Sequence, residues 1–142
     1  MNVTTKLNYA ILTVHATWDA GSSVGFTEQD YHFWRDKIDT GCEVLIYKAS
    51  PISANIAKGF VPDSAFVPIS EATSPNVEHV LNAMGQPATY ALPVKITYYY
   101  SKPVEDYVIR ERIDRIWELG EYRTAAVTPV DVDIFRVMRQ PE

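Results

Sequence analysis

At 142 residues, with 46% hydrophobic and 22% charged side chains, the chain is long enough for one domain with a real core and too apolar to be disordered throughout. Its net charge of −5 excludes a general nucleic-acid coat, which needs many lysines and arginines to neutralise phosphate, but leaves room for a local basic cluster. The single cysteine, Cys42, excludes an internal disulfide and lies in an apolar run, so it reads as a buried thiol in a reducing compartment.

The first fifteen residues suit neither a signal peptide nor a membrane span, because Asn8, Thr13 and His15 interrupt the apolar run. A cytoplasmic protein with no membrane contact is expected. No Gly/Ser-rich linker, repeat or low-complexity tract divides the chain, which predicts a single domain over 1–142.

Tyr9 to His15 is short, apolar and partly β-branched, and predicts a buried first strand. A loop from Ala16 to Gly25 follows. Thr27 then fits a helix N-cap with Asp30 at the third helical position, and Phe26 and Tyr31 occupy the two places of a hydrophobic staple. Tyr31, Trp34 and Ile38 recur at helical spacing, with Gly41 as the stop. Glu43 to Tyr47 predicts a second strand. Ile56 to Val61 with Ala65 to Ile69 forms a third region, in which Gly59 and Pro62 predict a bend or bulge.

Ser74-Pro75 opens a predicted helix through Val77, Val80, Leu81 and Met84 that ends at Gly85. Tyr90 to Tyr100 is the longest predicted strand, with Val94, Ile96, Tyr98 and Tyr100 on one face. Ile109, Ile113, Ile116 and Trp117 predict a helix beyond Pro103 that stops at Gly120. Arg123 to Val127 predicts a last strand. Thr128 to Asp131 then caps a final helix carrying Val130, Ile134, Val137 and Met138. Short strands and capped helices without regular βαβ alternation point to an α+β fold with a small, strongly curved sheet or barrel and flanking helices.

His15, His32 and His79 have no metal-ligand spacing with one another or with Cys42, and no cofactor or metal is expected. There is neither a phosphate-binding glycine loop nor a nucleophile elbow, which lowers the odds of an enzyme but leaves room for a dispersed catalytic site. Aromatic residues are plentiful, and Trp18, Tyr47, Tyr99 and Tyr100 fall at strand ends, where they could stack a planar ring.

Several stretches in order carry a resemblance. Tyr9-Ala10-Ile11-Leu12 is followed by a nearby Trp, then Val24-Gly25-Phe26 before a helix, then Thr40-Gly41-Cys42-Glu43 leading into an apolar strand. Ile56 to Val61 contains a strand glycine, Tyr90 to Ile96 is followed by Lys102-Pro103-Val104, and Tyr122 to Val130 contains an arginine strand before the last helix. Together these resemble the PUA-like superfamily, and within it the EVE and YTH branches. The resemblance implies a small curved mixed β-barrel that recognises a modified base in DNA or RNA, flipped into an aromatic-lined pocket, without catalysis. Unstacking a base costs a few kcal/mol, which stacking and edge hydrogen bonds must offset.

Carried over by position, the resemblance implies a ligand site of Trp18, Ser22, Val24, Gly25, Phe26, Tyr47, Lys48, Ser50, Gly59, Arg123 and Thr124. Arg123 would meet phosphate or pocket backbone. Two departures stand out: Val24 occupies a place where the family often carries Trp, and Cys42-Glu43 replaces Asp after the glycine. The expected partner is a nucleic acid bearing a modified base, with a partner protein as a second possibility. Two alternatives remain open. One is an ASCH-like hydrolase of a modified nucleoside using Lys48, Ser50 or Glu71 as acid, base or nucleophile. The other is a protein-interaction module built on the tyrosines of the long strand.

Overall fold

The computed structural model describes residues 7–16, 18, 23–38, 40–62, 66–68, 84–105, 107–109 and 126–138. Residues 74–83 of one expected helix, the expected helix beyond 109 and the expected strand residues 123–125 lie outside them.

Among the described residues, eight strands and two helices run in the order β1 (Tyr9–Val14), β2 (Val24–Phe26), α1 (Glu28–Trp34), β3 (Glu43–Lys48), β4 (Ala54–Phe60), β5 (Val67–Pro68), β6 (Tyr90–Leu92), β7 (Lys95–Glu105), β8 (Val127–Pro129) and α2 (Val132–Met138). Residues 107–109 also have helical backbone. A five-stranded sheet has the order β7-β4-β3-β1-β8, and a three-stranded sheet the order β2-β6-β5. The fold is α+β. The two sheets are not closed into a barrel among the described strands; β6 leads through Pro93 and Val94 directly into β7 of the larger sheet.

β1 and β3 are parallel, from Tyr9 opposite Glu43 to Val14 opposite Lys48, while the other described pairings are antiparallel. A parallel pair needs a long crossover, and here the crossover carries β2 and α1. Both central strands are apolar on both faces, which is what burial on two sides requires. On one face, Ala10, Leu12, Val14, Val44 and Ile46 pack with Trp18, Val24, Phe26 and Leu92. On the other, Ile11, Leu45 and Tyr47 pack with Tyr100, Val104, Ile134 and Phe135.

Thr27 caps α1 as the sequence suggests: its Oγ1 accepts from the Asp30 N–H at 3.3 Å. The staple is completed from elsewhere, because Phe26 and Tyr31 both pack edge-on against Phe66, with ring centroids 4.7 and 5.4 Å away. Thr27→Ala is expected to cost about 1 kcal/mol, read as a lowered urea midpoint with an unchanged m-value.

The helix stops at Trp34, well short of Gly41. Lys37 Nζ donates to the Phe33 carbonyl at 2.9 Å and so satisfies a terminal acceptor, and Ile38 reaches the core from the turn that follows. Gly41 has φ +91°, the left-handed region that its turn before β3 requires.

The long strand differs most from expectation. Pro93 divides it into β6 and β7, since proline offers no N–H to a ladder. The β4/β7 register then shifts between Lys58 and Gly59, opposite Tyr98 and Ile96, leaving Thr97 as the extra residue. Val94 and Ile96 therefore pack on the Trp18 side of the sheet and Tyr100 on the opposite side. β7 continues through Pro103, which a sheet-edge strand tolerates.

At the far end, Thr128 and Pro129 belong to β8, and Asp131 alone caps α2: its Oδ1 accepts from the Ile134 N–H at 2.8 Å. The side chains of Val137 and Met138, expected on the apolar stripe, lie outside those described.

Candidate ligand site at the ends of two parallel strands

Because β1 and β3 are parallel, their C-terminal ends open side by side. Val14 pairs with Lys48, and the Ala49 N–H donates to the Val14 carbonyl at 2.9 Å, holding the two exits together. Val44, Ile46 and Lys48 alternate onto one face of β3, the face on which Trp18 packs. Lys48 is half-buried and Ser50 exposed, and the Ser50–Pro51 peptide is cis.

Trp18 forms the wall of this strand-end region. Its backbone N–H donates to the His15 carbonyl at 2.9 Å, and its indole N–H donates to the Ser23 carbonyl at 3.2 Å. Only 7% of Trp18 is exposed, so the ring is a fixed wall and not an open stacking platform. The chain leaves Ser23 straight into β2, where Val24, Gly25 and Phe26 are all buried and pair with Leu92, Ala91 and Tyr90.

The structure thus brings Trp18, Val24, Gly25, Phe26 and Lys48 to one side of the large sheet. Tyr47 is fully buried on the other side, with Leu45, and does not join them. Gly59 is spaced to its neighbour strand: a Cβ there would run into the Lys95 carbonyl oxygen of β7. Its missing side chain admits backbone. Ser22, Arg123, Thr124 and Glu71 lie outside the described residues.

Sequence reading did not single out a group of buried polar residues around Tyr47. Thr13 and Asn55 flank it by register, and Tyr100 and Thr128 are buried as well. The available signal was Asn55 and Thr13 inside apolar strands, since burying such groups is costly without hydrogen bonds.

Cys42 is buried beside this framework, and its thiol is pushed up from 9.0 to about 11, first by burial and then by the Glu43 carboxylate. The folded state holds this proton more tightly than the unfolded chain does. Its contribution to stability is therefore complete below about pH 9 and is lost as the pH rises toward about 11. At about pH 8 we expect negligible alkylation of the native protein by iodoacetamide and complete alkylation in denaturant, read by intact mass. Among the described residues no three His, Cys, Asp or Glu side chains are grouped to hold a metal, and no helix is long and apolar enough to cross a membrane.

No protein-family model matches the chain, and no curated protein does. Solved structures do. The chain is similar to a Rhodopseudomonas palustris protein determined by NMR, with TM-score 0.62 and 13% identity over 93% of this chain and 90% of that one. It is also similar to an ASCH protein from Zymomonas mobilis, with TM-score 0.59 and 9% identity over 93% of this chain and 94% of the other. A third similar structure is the N-terminal domain of McrB from Staphylothermus marinus, with TM-score 0.53 and 11% identity over 97% of both chains. At these identities the likeness defines the fold: the chain has the PUA-like fold that the ASCH and McrB N-terminal structures share.

Proposed function

We propose that this chain is a nucleic-acid-recognition module, a single EVE/PUA-like domain over 1–142, that holds a modified base at the paired ends of β1 and β3 and does no chemistry on it. The observation that carries the reading is the adjoining of Val14 and Lys48 in a parallel pair, with Trp18 fixed on the same face. The PUA-like fold, shared with the McrB N-terminal domain, supports it. Lys48 would bring a cationic donor to the base edge or a flanking phosphate, and the β2 backbone at Gly25 would line the wall. Tyr47, buried on the opposite face, supports β3 in this reading and does not touch ligand. Arg123 and Thr124 keep the role that the resemblance implies, contact with phosphate or pocket backbone.

The test is a titration of plain, methylated and hydroxymethylated oligonucleotides, DNA and RNA, single- and double-stranded. A preference of at least about tenfold for one modified form, lost in Lys48→Met, is expected for a base read by a half-buried polar contact. Equal or absent binding across the panel overturns the reading.

A second reading is favoured by the likeness to the ASCH protein. In it, Lys48 and Ser50 serve a hydrolase acting on a free modified nucleoside. Conversion of acylated or methylated nucleosides by the wild type, abolished in Lys48→Met, would select it over the first. Absence of any conversion removes it.

A further inference from the structure

The open corner of the large sheet, at the β4/β7 edge, carries an alternating set of aromatic and cationic side chains. Phe60 is opposite Lys95, and Lys58 is opposite Tyr98. All four fall on one face. Lys58 aligns through Leu45 with Ile11, both packed on the Tyr47 side, and Tyr98 has its ring 5.8 Å from that of Tyr100 on the same side. Val61 and Val94, the next residues along, turn to the opposite face, which fixes Phe60 and Lys95 on this one.

Tyr98 is 37% exposed, Lys95 is exposed, and Phe60 and Lys58 are half-buried. Among the described residues, Phe60 belongs to neither apolar cluster. The bulge that turns Tyr98 to this face is pinned by Thr97, whose hydroxyl donates to the Lys58 carbonyl at 3.3 Å.

We infer that this corner is a second nucleic-acid surface, one that takes an unmodified single strand. Two neighbouring aromatic faces match successive unpaired bases, and the lysine beside each ring matches the phosphates between them. Lys58 and exposed Lys95 bring two cations to this corner of a chain whose net charge is −5, which is the charge complementarity a phosphate backbone needs. Glu43, opposite Phe60 on β3 and exposed, bounds the track, because its carboxylate repels a phosphate beyond that point. A pairing β-strand suits the edge poorly: Lys95, Lys102, Pro103 and two register breaks are the devices that block strand addition. The surface is on the opposite face from Lys48, so it stands independently of the strand-end pocket.

Binding of unmodified oligo-dT and oligo-rU of about twelve nucleotides, read by anisotropy at low salt, tests it. Tyr98→Ala is expected to weaken binding by about 5- to 100-fold and Tyr98→Phe to restore most of it. Lys95→Gln should lower the slope of log affinity against log salt by about 0.7. Glu43→Gln should tighten binding about threefold, a gain that misfolding cannot produce. The modified-to-plain ratio at the Lys48 site should stay unchanged in all of these variants.

Absence of single-strand binding by the wild type, or unchanged affinity in both Tyr98→Ala and Lys95→Gln with melting curves intact, overturns the inference whatever the outcome at Lys48. Tyr98-dependent self-association without oligonucleotide binding also overturns it and assigns the surface to protein. Tyr98-dependent binding with no preference for a modified base sustains this inference and removes the strand-end reading.

Discussion

Trp18→Ala is expected to lower the unfolding free energy by about 3–5 kcal/mol, on the order of 10–20 °C in melting midpoint. The size follows from position. Trp18 is 7% exposed, packs with the core around Val14, Val24 and Phe26, and is held at both its backbone and indole nitrogens. An alanine leaves a cavity that the β1–β2 connection would have to collapse to fill. This bears on function, because loss of binding in Trp18→Ala would follow from a loosened wall as readily as from a lost contact. Trp18→Phe separates the two. It retains most of the apolar contact and gives up the indole donor to Ser23, at about 1 kcal/mol. If Trp18 acts only as a wall, Trp18→Phe keeps the modified-base preference; if its edge reads the ligand, the preference falls while the fold persists.

Gly59→Val is expected to be at least as damaging, about 3 kcal/mol or more, through collision and not through a cavity. Its Cβ would overlap the Lys95 carbonyl oxygen and meet the Ile96 Cα at 3.0 Å, both backbone atoms that no rotamer change can move aside. Relief requires β7 to shift where the Lys58/Gly59 register break lets the strands cross closely. Gly41→Ala provides the contrast. Nothing lies within 4 Å of its Cβ, but its φ of +91° penalises any side chain, at about 1–2 kcal/mol. Thermal melts of the two variants should therefore rank Gly59→Val well below Gly41→Ala. The opposite ranking would mean that β4 and β7 approach less closely than described.

Much of the central architecture was legible in the residues themselves. The mostly apolar runs at Tyr9–His15 and Glu43–Tyr47 announce two strands, the first of them buried, and Thr27 with Asp30 announces the start of α1. Gly59 announced a bend or bulge, and the β4/β7 register does shift beside it; its close approach to the β7 backbone was not announced. What escaped were features decided by neighbours in space. Alternation along Tyr90–Tyr100 predicts one continuous face, yet one extra residue at Thr97, set by pairing with β4, divides it between the two clusters. Pro103 reads as a strand terminator until β7 is known to be an edge. Adjacent residues such as Ile46 and Tyr47 must face oppositely, but nothing in the chain says on which side Trp18 returns. The expected convergence of Trp18 and Tyr47 was therefore beyond linear reading.

β8 completes the large sheet by pairing with β1, so the first and last described strands are neighbours. During synthesis on the ribosome, that flank of Tyr9–Val14 has no partner until the segment around Val127 has emerged from the exit tunnel. For that interval its Ala-Ile-Leu-Thr-Val stretch exposes an open row of amide and carbonyl groups, the geometry that chaperones shield and that otherwise seeds aggregation. Closing so long a loop last makes assembly a high-contact-order event, and folding on the slow side for the chain's size is the kinetic counterpart of joining the two ends in one sheet.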